Sequence, residues 1–121
     1  MAKILLVDDD ELVLYAISKV LRKAGHEVLE AENGKQALKI LINENVDILV
    51  TDIIMPEIEG IELIMSLRKS HPELPIIAIS GGSRKVDTRY LSSAKKLGAF
   101  ATLEKPFDEQ ELLNLISSKI D

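Results

Sequence analysis

Val46-Asp47-Ile48-Leu49-Val50-Thr51-Asp52-Ile53-Ile54-Met55-Pro56-Glu57-Ile58-Glu59-Gly60 is the stretch whose reading decides the fold. It opens on an apolar, β-branched run (Val46, Ile48, Leu49, Val50) with no polar alternation, the composition of a short strand buried on both faces. The strand delivers a carboxylate, Asp52, to its carboxyl end. Pro56 has no N–H to donate and a fixed φ, so the strand cannot continue through it, and a helical pattern follows. An acid left at the end of a buried strand calls for partners. Three other places in the chain offer them, each where another apolar run stops.

The same rhythm extends in both directions. Upstream, Ile4 to Val7 ends at Asp8-Asp9-Asp10, after which Val13, Leu14, Ile17, Val20, Leu21 and Ala24 recur at helical spacing and Gly25 supplies a stop. Val28-Leu29 reads as a second strand, followed by Asn33-Gly34 and a helix bearing Ala37, Leu38, Leu41 and Ile42. Downstream of the central strand, Ile61, Ile64, Met65 and Leu67 mark a helix that closes near His71-Pro72. Pro75 then opens Ile76-Ile77-Ala78-Ile79, which ends at Ser80-Gly81-Gly82. A fourth helix carries Val86, Tyr90, Leu91, Ala94 and Leu97 with Gly98 as its stop, and Ala99 to Leu103 gives a fifth strand. After Lys105-Pro106-Phe107, Asp108 and Glu111 have capping-box spacing at the start of the last helix, with Phe107 placed to staple onto Leu112. Strands and helices alternate with short connections, which defines an α/β, doubly wound, mostly parallel sheet with helices on both faces.

The bulk numbers set limits on function. A chain of 121 residues is one domain, 1–121, able to bury a core without staples. With 15 basic and 20 acidic residues the net charge is −5, which argues against direct nucleic-acid or anionic-membrane binding. No cysteine is present, so disulfides and thiolate chemistry are excluded. The two histidines, His26 and His71, have no neighbour at ligand spacing and read as surface or turn residues rather than a zinc site. The apolar runs are too short to span a bilayer and no signal peptide opens the chain, so a cytoplasmic protein is expected.

In doubly wound sheets the working site lies beyond the carboxyl ends of the strands, where the strand order switches. Those ends bring Asp8-Asp9, Asp52, Ser80 and Lys105 into one place. Crowded carboxylates repel one another, and a hard divalent cation resolves the repulsion. Mg²⁺ suits a few carboxylates, with water or phosphate oxygens completing its shell. A hydroxyl and a lysine around the same point suit an incoming tetraoxo anion. The set therefore points to phosphate chemistry, with Asp52 either a metal ligand or a nucleophile that carries an acyl phosphate.

Over its whole length the chain resembles a response-regulator receiver domain of the chemotaxis type. The residues that carry the resemblance are the acidic pair after strand one, Asp52-Ile53-Ile54-Met55-Pro56 with Gly60, Ser80, and Lys105-Pro106-Phe107. It implies a flavodoxin-like receiver fold of strand order 2-1-3-4-5 with five helices. By that resemblance Asp52 is the phosphoacceptor, and Asp9, Asp52 and the main-chain carbonyl of Ile54 ligate Mg²⁺. Asp8 acts partly through water, Ser80 and Lys105 contact the phosphoryl oxygens, and the Lys105–Pro106 bond is cis. The function implied is a two-component switch, phosphorylated by a histidine kinase or histidine phosphotransfer protein. Its altered surface (the fourth helix, fifth strand and fifth helix) would bind a target protein or a second copy. No fused output domain is expected.

Two departures from the family pattern matter. Receivers often carry an aromatic three positions before the lysine, and this chain has Thr102 there, with Phe100 two residues earlier on what reads as the same side of the strand. The rearrangement is then expected to fall on Ser80 and the Gly81-Gly82 loop. Ile54 and Gly82, two residues beyond Asp52 and Ser80, cannot orient a water, so slow self-dephosphorylation is expected. Ile54 also stands where aspartyl phosphatases place a second acid, and no cap-sized insertion is present. A switch is therefore favoured over a turnover phosphatase or phosphotransferase, and the intact acid cluster argues against a phosphorylation-independent binding module.

Overall fold

Each strand of the computed structural model runs in the same direction, and the order across the sheet is β2-β1-β3-β4-β5. The structure describes residues 1–53, 60–80 and 94–120. Its elements are β1 (Lys3–Val7), α1 (Glu11–Lys23), β2 (Glu27–Ala31), α2 (Gly34–Asn43), β3 (Ile48–Asp52), α3 (Gly60–Ser70), β4 (Ile76–Ser80), β5 (Ala101–Glu104) and α4 (Glu109–Ile120). Ahead of β5, residues 94–96 are helical, where the sequence places the end of a further helix. Val86, Tyr90 and Leu91 of that helix, and the Gly81-Gly82 loop, lie outside the described residues. The expected doubly wound sheet of order 2-1-3-4-5 is the observed one.

Strand alternation sorts the core into two layers. Leu5, Val7, Leu49, Ile76 and Ala78 pack with Ala37 and Leu41 of α2, with Leu63, Ile64 and Leu67 of α3, and with Ala94. Ile4, Leu6, Ile48, Val50, Ile77 and Ile79 face the other way, onto Leu14 and Leu21 of α1 and Leu112 and Ile116 of α4. Every residue of β3 and β4 is buried, as expected of inner strands with helices on both sides.

Local chemistry starts and stops the helices. The Asp10 carboxylate caps α1 by accepting from the N–H groups of Leu12 and Val13, and Asn33 caps α2 by accepting from Gln36 N–H. At the head of α4, Asp108 Oδ1 accepts from Gln110 N–H at 2.9 Å and Glu111 Oε1 accepts from Asp108 N–H at 3.4 Å. Phe107 packs against the cluster that contains Leu112. Gly25 and Gly98 sit at φ +96° and +120°, the left-handed region that ends a helix and that side chains avoid.

Several side-chain and boundary expectations change. On α1 Ser18 is buried along with Leu14 and Leu21, its Oγ donating to Glu30 Oε2 at 3.0 Å, while Ala24 is exposed. Ile42 of α2 is 81% exposed and Ile40 packs against the core instead. On α3 the buried row is Gly60, Leu63, Ile64 and Leu67, an i, i+3, i+4, i+7 stripe that leaves Met65 on the solvent side. The fifth strand begins at Ala101 rather than Ala99. Ala101 and Leu103 fill the α1/α4 layer, so Thr102 points to the other face. Phe100 precedes the strand, where alternation is not enforced. Its ring packs on the α1/α4 layer, with Lys119 Nζ 4.9 Å from the ring centroid. Phe100 and Thr102 therefore do not share a side. His26 is more than a bland turn residue: its Nδ1 accepts from the buried Ala2 N–H at 3.0 Å.

Candidate functional site

Strand register assembles the site. Val7 pairs with Thr51, which brings Asp8 level with Asp52 one residue later. Asp52 pairs with Ile79, so β4 reaches one residue further before ending at Ser80. Ser80 pairs with Glu104, and Lys105 then steps past the end of β5. Backbone bonds continue the ladder beyond the strands: Asp8 N–H to Ala31 O at 3.1 Å, Ile53 N–H to Ile79 O at 2.9 Å, and Lys105 N–H to Ser80 O at 2.9 Å. The same end of the sheet thus presents Asp8, Asp9, Asp52, Ser80 and Lys105, the residues read from the strand ends. Ile54, with its main-chain carbonyl, lies outside the described residues.

Asp8, Asp52 and Ser80 are buried, at 2%, 7% and 3% exposure, whereas Asp9 is exposed. One carboxylate oxygen from each of Asp8, Asp9 and Asp52 lies within 4.8 Å of the others. Such a set of hard oxygen donors fits Mg²⁺, which takes carboxylates and keeps several waters. Lys105 reaches into the cluster: its Nζ is 2.8 Å from Asp8 Oδ2 and 3.8 Å from Asp52 Oδ2. Buried carboxylates are costly without compensation, and the ammonium offsets part of that cost. The peptide bond between Lys105 and Pro106 is cis, as the resemblance implied.

Three supports surround these groups, and of them the sequence singled out only Gly60. Asp10 N–H donates to Asp8 Oδ1 at 2.9 Å, so the residue that caps α1 also holds the first acid. This backbone role depends on the turn conformation, which residue spacing does not encode. Thr51 Oγ1, fully buried, donates to Asp52 O at 2.9 Å. Gly60 N–H donates to Ile53 O at 2.5 Å. A Cβ at Gly60 would collide with the backbone of Asp52 and Ile53, so only glycine allows α3 to start against the end of β3.

A parallel sheet in this order, with three aspartates and a lysine converging where its strands end, has the architecture of the receiver class. The chain belongs to the response regulator receiver domain family, whose model matches residues 4–117. Among its relatives, Protein PilH of Pseudomonas aeruginosa is 34% identical over 120 residues, covering 98% of this chain and 97% of PilH. Sensor kinase CckA of Brucella abortus is 34% identical over 122 residues, covering 99% of this chain but 13% of CckA. A response regulator receiver domain protein from Clostridium thermocellum superposes with a TM-score of 0.91 at 32% identity, over 99% of this chain and 94% of that one. The molecule is thus a receiver domain of two-component response regulators. Among the described residues, no helix is long and apolar enough to cross a membrane.

Proposed function

We propose that Asp52 is the phosphoacceptor of a Mg²⁺-dependent switch, and that Asp8, Asp9, Asp52, Ser80 and Lys105 are its working residues. The observation that carries this reading is the convergence of three carboxylates and one ammonium at the strand ends, two of the acids buried. Asp9 and Asp52 would hold the metal together with the main-chain carbonyl of Ile54, and Asp8 would act through water. Bound there, Mg²⁺ supplies positive charge to phosphoryl oxygens during transfer. An Asp52 carboxylate oxygen forms the new O–P bond as the P–N bond of a phosphohistidine breaks. The departing imidazole keeps the bonding pair and takes up a proton. Lys105 moves its ammonium onto a phosphoryl oxygen, and the Ser80 hydroxyl donates to another.

The phosphodonor is a histidine kinase or histidine phosphotransfer protein, and the reader is a downstream target in the cytoplasm. Added phosphoryl charge draws Lys105 and Ser80 inward and shifts the surface formed by the helix before β5, β5 itself and α4. That surface binds the target or a second copy. The reaction is a switch without turnover of a free substrate. Mass spectrometry after incubation with acetyl phosphate tests the reading. The parent should gain one phosphoryl group when Mg²⁺ is present and none without it, and Asp52→Asn should gain none. Equal labelling of Asp52→Asn would overturn the assignment.

A further inference from the structure

We propose that the side chain of Arg68 pins the turn ahead of β5 to the start of β4 and makes that end of the sheet the fixed pivot of the switch surface. Rearrangement on phosphorylation is then confined to the end that carries Ser80 and Lys105. The inference rests on the switch reading above and adds which part of that surface stays still. Arg68 lies in the last turn of α3 and is half-buried. Its Nη1 donates to Pro72 O at 2.8 Å and its Nη2 donates to Leu74 O, two carbonyls of the connection that leads into β4. The guanidinium is a planar, rigid fork, so two fixed Nη groups also fix where Nε and the stem lie. They lie against Gly98. A Cβ there would stand 2.6 Å from Arg68 Cδ and 3.1 Å from Nε, inside van der Waals contact with a side chain whose far end is held. The helix stop at φ +120° already favours glycine, and the close approach of the arginine is a second, separate demand for it.

The turn on the other side of this contact is itself held. Gly98 N–H donates to Lys95 O at 3.1 Å, Ala99 N–H to Ala94 O at 3.0 Å, and Phe100 N–H to Ile76 O, in the first residue of β4, at 2.9 Å. Leu74, Ala94 and Ala99 are buried in one cluster with Leu67 of α3. Arg68 Nε is buried and, among the described residues, has no acceptor. An unmet buried donor is unfavourable, so the two Nη bonds and the packing of the stem must outweigh it to keep the arginine in place. The strut joins the two strands whose carboxyl ends lead to the site. Leu74 lies two residues before β4, which ends at Ser80, and Gly98 lies three residues before β5, which leads to Lys105. A strand rises about 3.3 Å per residue, so the strut stands roughly 15 to 20 Å from the site. A surface pinned at one end and drawn inward at the other moves as a hinge, and the pinned end takes up none of the displacement. Released from Arg68, the turn ahead of β5 takes up part of it.

The test is amide NMR of the full chain, parent and Arg68→Met, with and without Mg²⁺ and beryllofluoride, which mimics a phosphoryl group on a carboxylate. In the parent the amides of Ser80 and Lys105 should shift, and those of Gly98, Ala99 and Phe100 should stay in place. Arg68→Met keeps an unbranched stem but loses both Nη bonds, and in it the beryllofluoride shifts should spread to Gly98, Ala99 and Phe100. A merely structural arginine would speed hydrogen exchange at these amides without changing which of them respond to beryllofluoride, and that outcome overturns the proposal. Parent amides from Gly98 to Phe100 that shift along with Ser80 overturn it as well. If Arg68→Met does not fold, Arg68→Lys, which can keep only one of the two carbonyl bonds, is read in the same way. A parent whose Ser80 and Lys105 amides ignore beryllofluoride removes this inference and the switch reading together. A parent that acetyl phosphate labels on Asp52, but whose shifts reach Gly98, removes this inference alone.

Discussion

Thr51 is the fully buried neighbour of the proposed phosphoacceptor, and its hydroxyl spends its hydrogen bond on the carbonyl of Asp52. Replacing it with valine keeps the shape but removes the donor. Thr51→Val should lower stability by about 1 kcal/mol in urea unfolding, the usual net value of one such bond. A change near zero would mean that the bond does no more than replace one to water. Asp8, Asp52, Ser80 and Lys105 were legible at this scale because each stands where an apolar run stops, and parallel strands align such ends. The direct bonds of Lys105 to Asp8 and of Asp10 N–H to Asp8 were not legible. They depend on rotamers and turn angles that no spacing encodes. Phe100 shows the same limit from the other side: it was placed beside Thr102 by counting in twos, and the count fails one residue outside the strand.

The helices divide between faces that periodicity settled and faces that it did not. Leu14, Leu21, Ala37, Leu41, Ile64 and Leu67 were all placed inward correctly. Ile42 and Met65 were not, because apolar character alone does not fix where a stripe falls on a short helix. On α3 the phase is set by Gly60, which must face β3, and the stripe then follows through Leu63 and Leu67. That phase has a measurable signature. Leu63→Ala should cost about 3 kcal/mol, the range for emptying a fully buried leucine, whereas Met65→Ala should fall within about 0.5 kcal/mol of the parent. Similar losses at both positions, from the same denaturant series, would contradict the phase.

At the scale of the whole molecule, the sheet holds acids together that repel one another, so a ligand that binds only the folded chain must stabilise it. At free Mg²⁺ roughly 100-fold above Kd the gain should be about 2.7 kcal/mol by mass action. A rise in Tm with metal in scanning calorimetry, largely lost in Asp52→Asn, is the expected result. A Tm indifferent to Mg²⁺ would show that the acid cluster holds no such ion. The sheet order itself was readable from the sequence only through the resemblance, because alternation gives parallel strands without saying which are neighbours.

Gly60 carries no reactive group, yet it is walled in by the backbone of Ile53 and of Asp52, the proposed phosphoacceptor. At this spot any added carbon would push on the peptide that aims Asp52. A silent atom at the head of a helix is thereby as constrained as the acid it abuts.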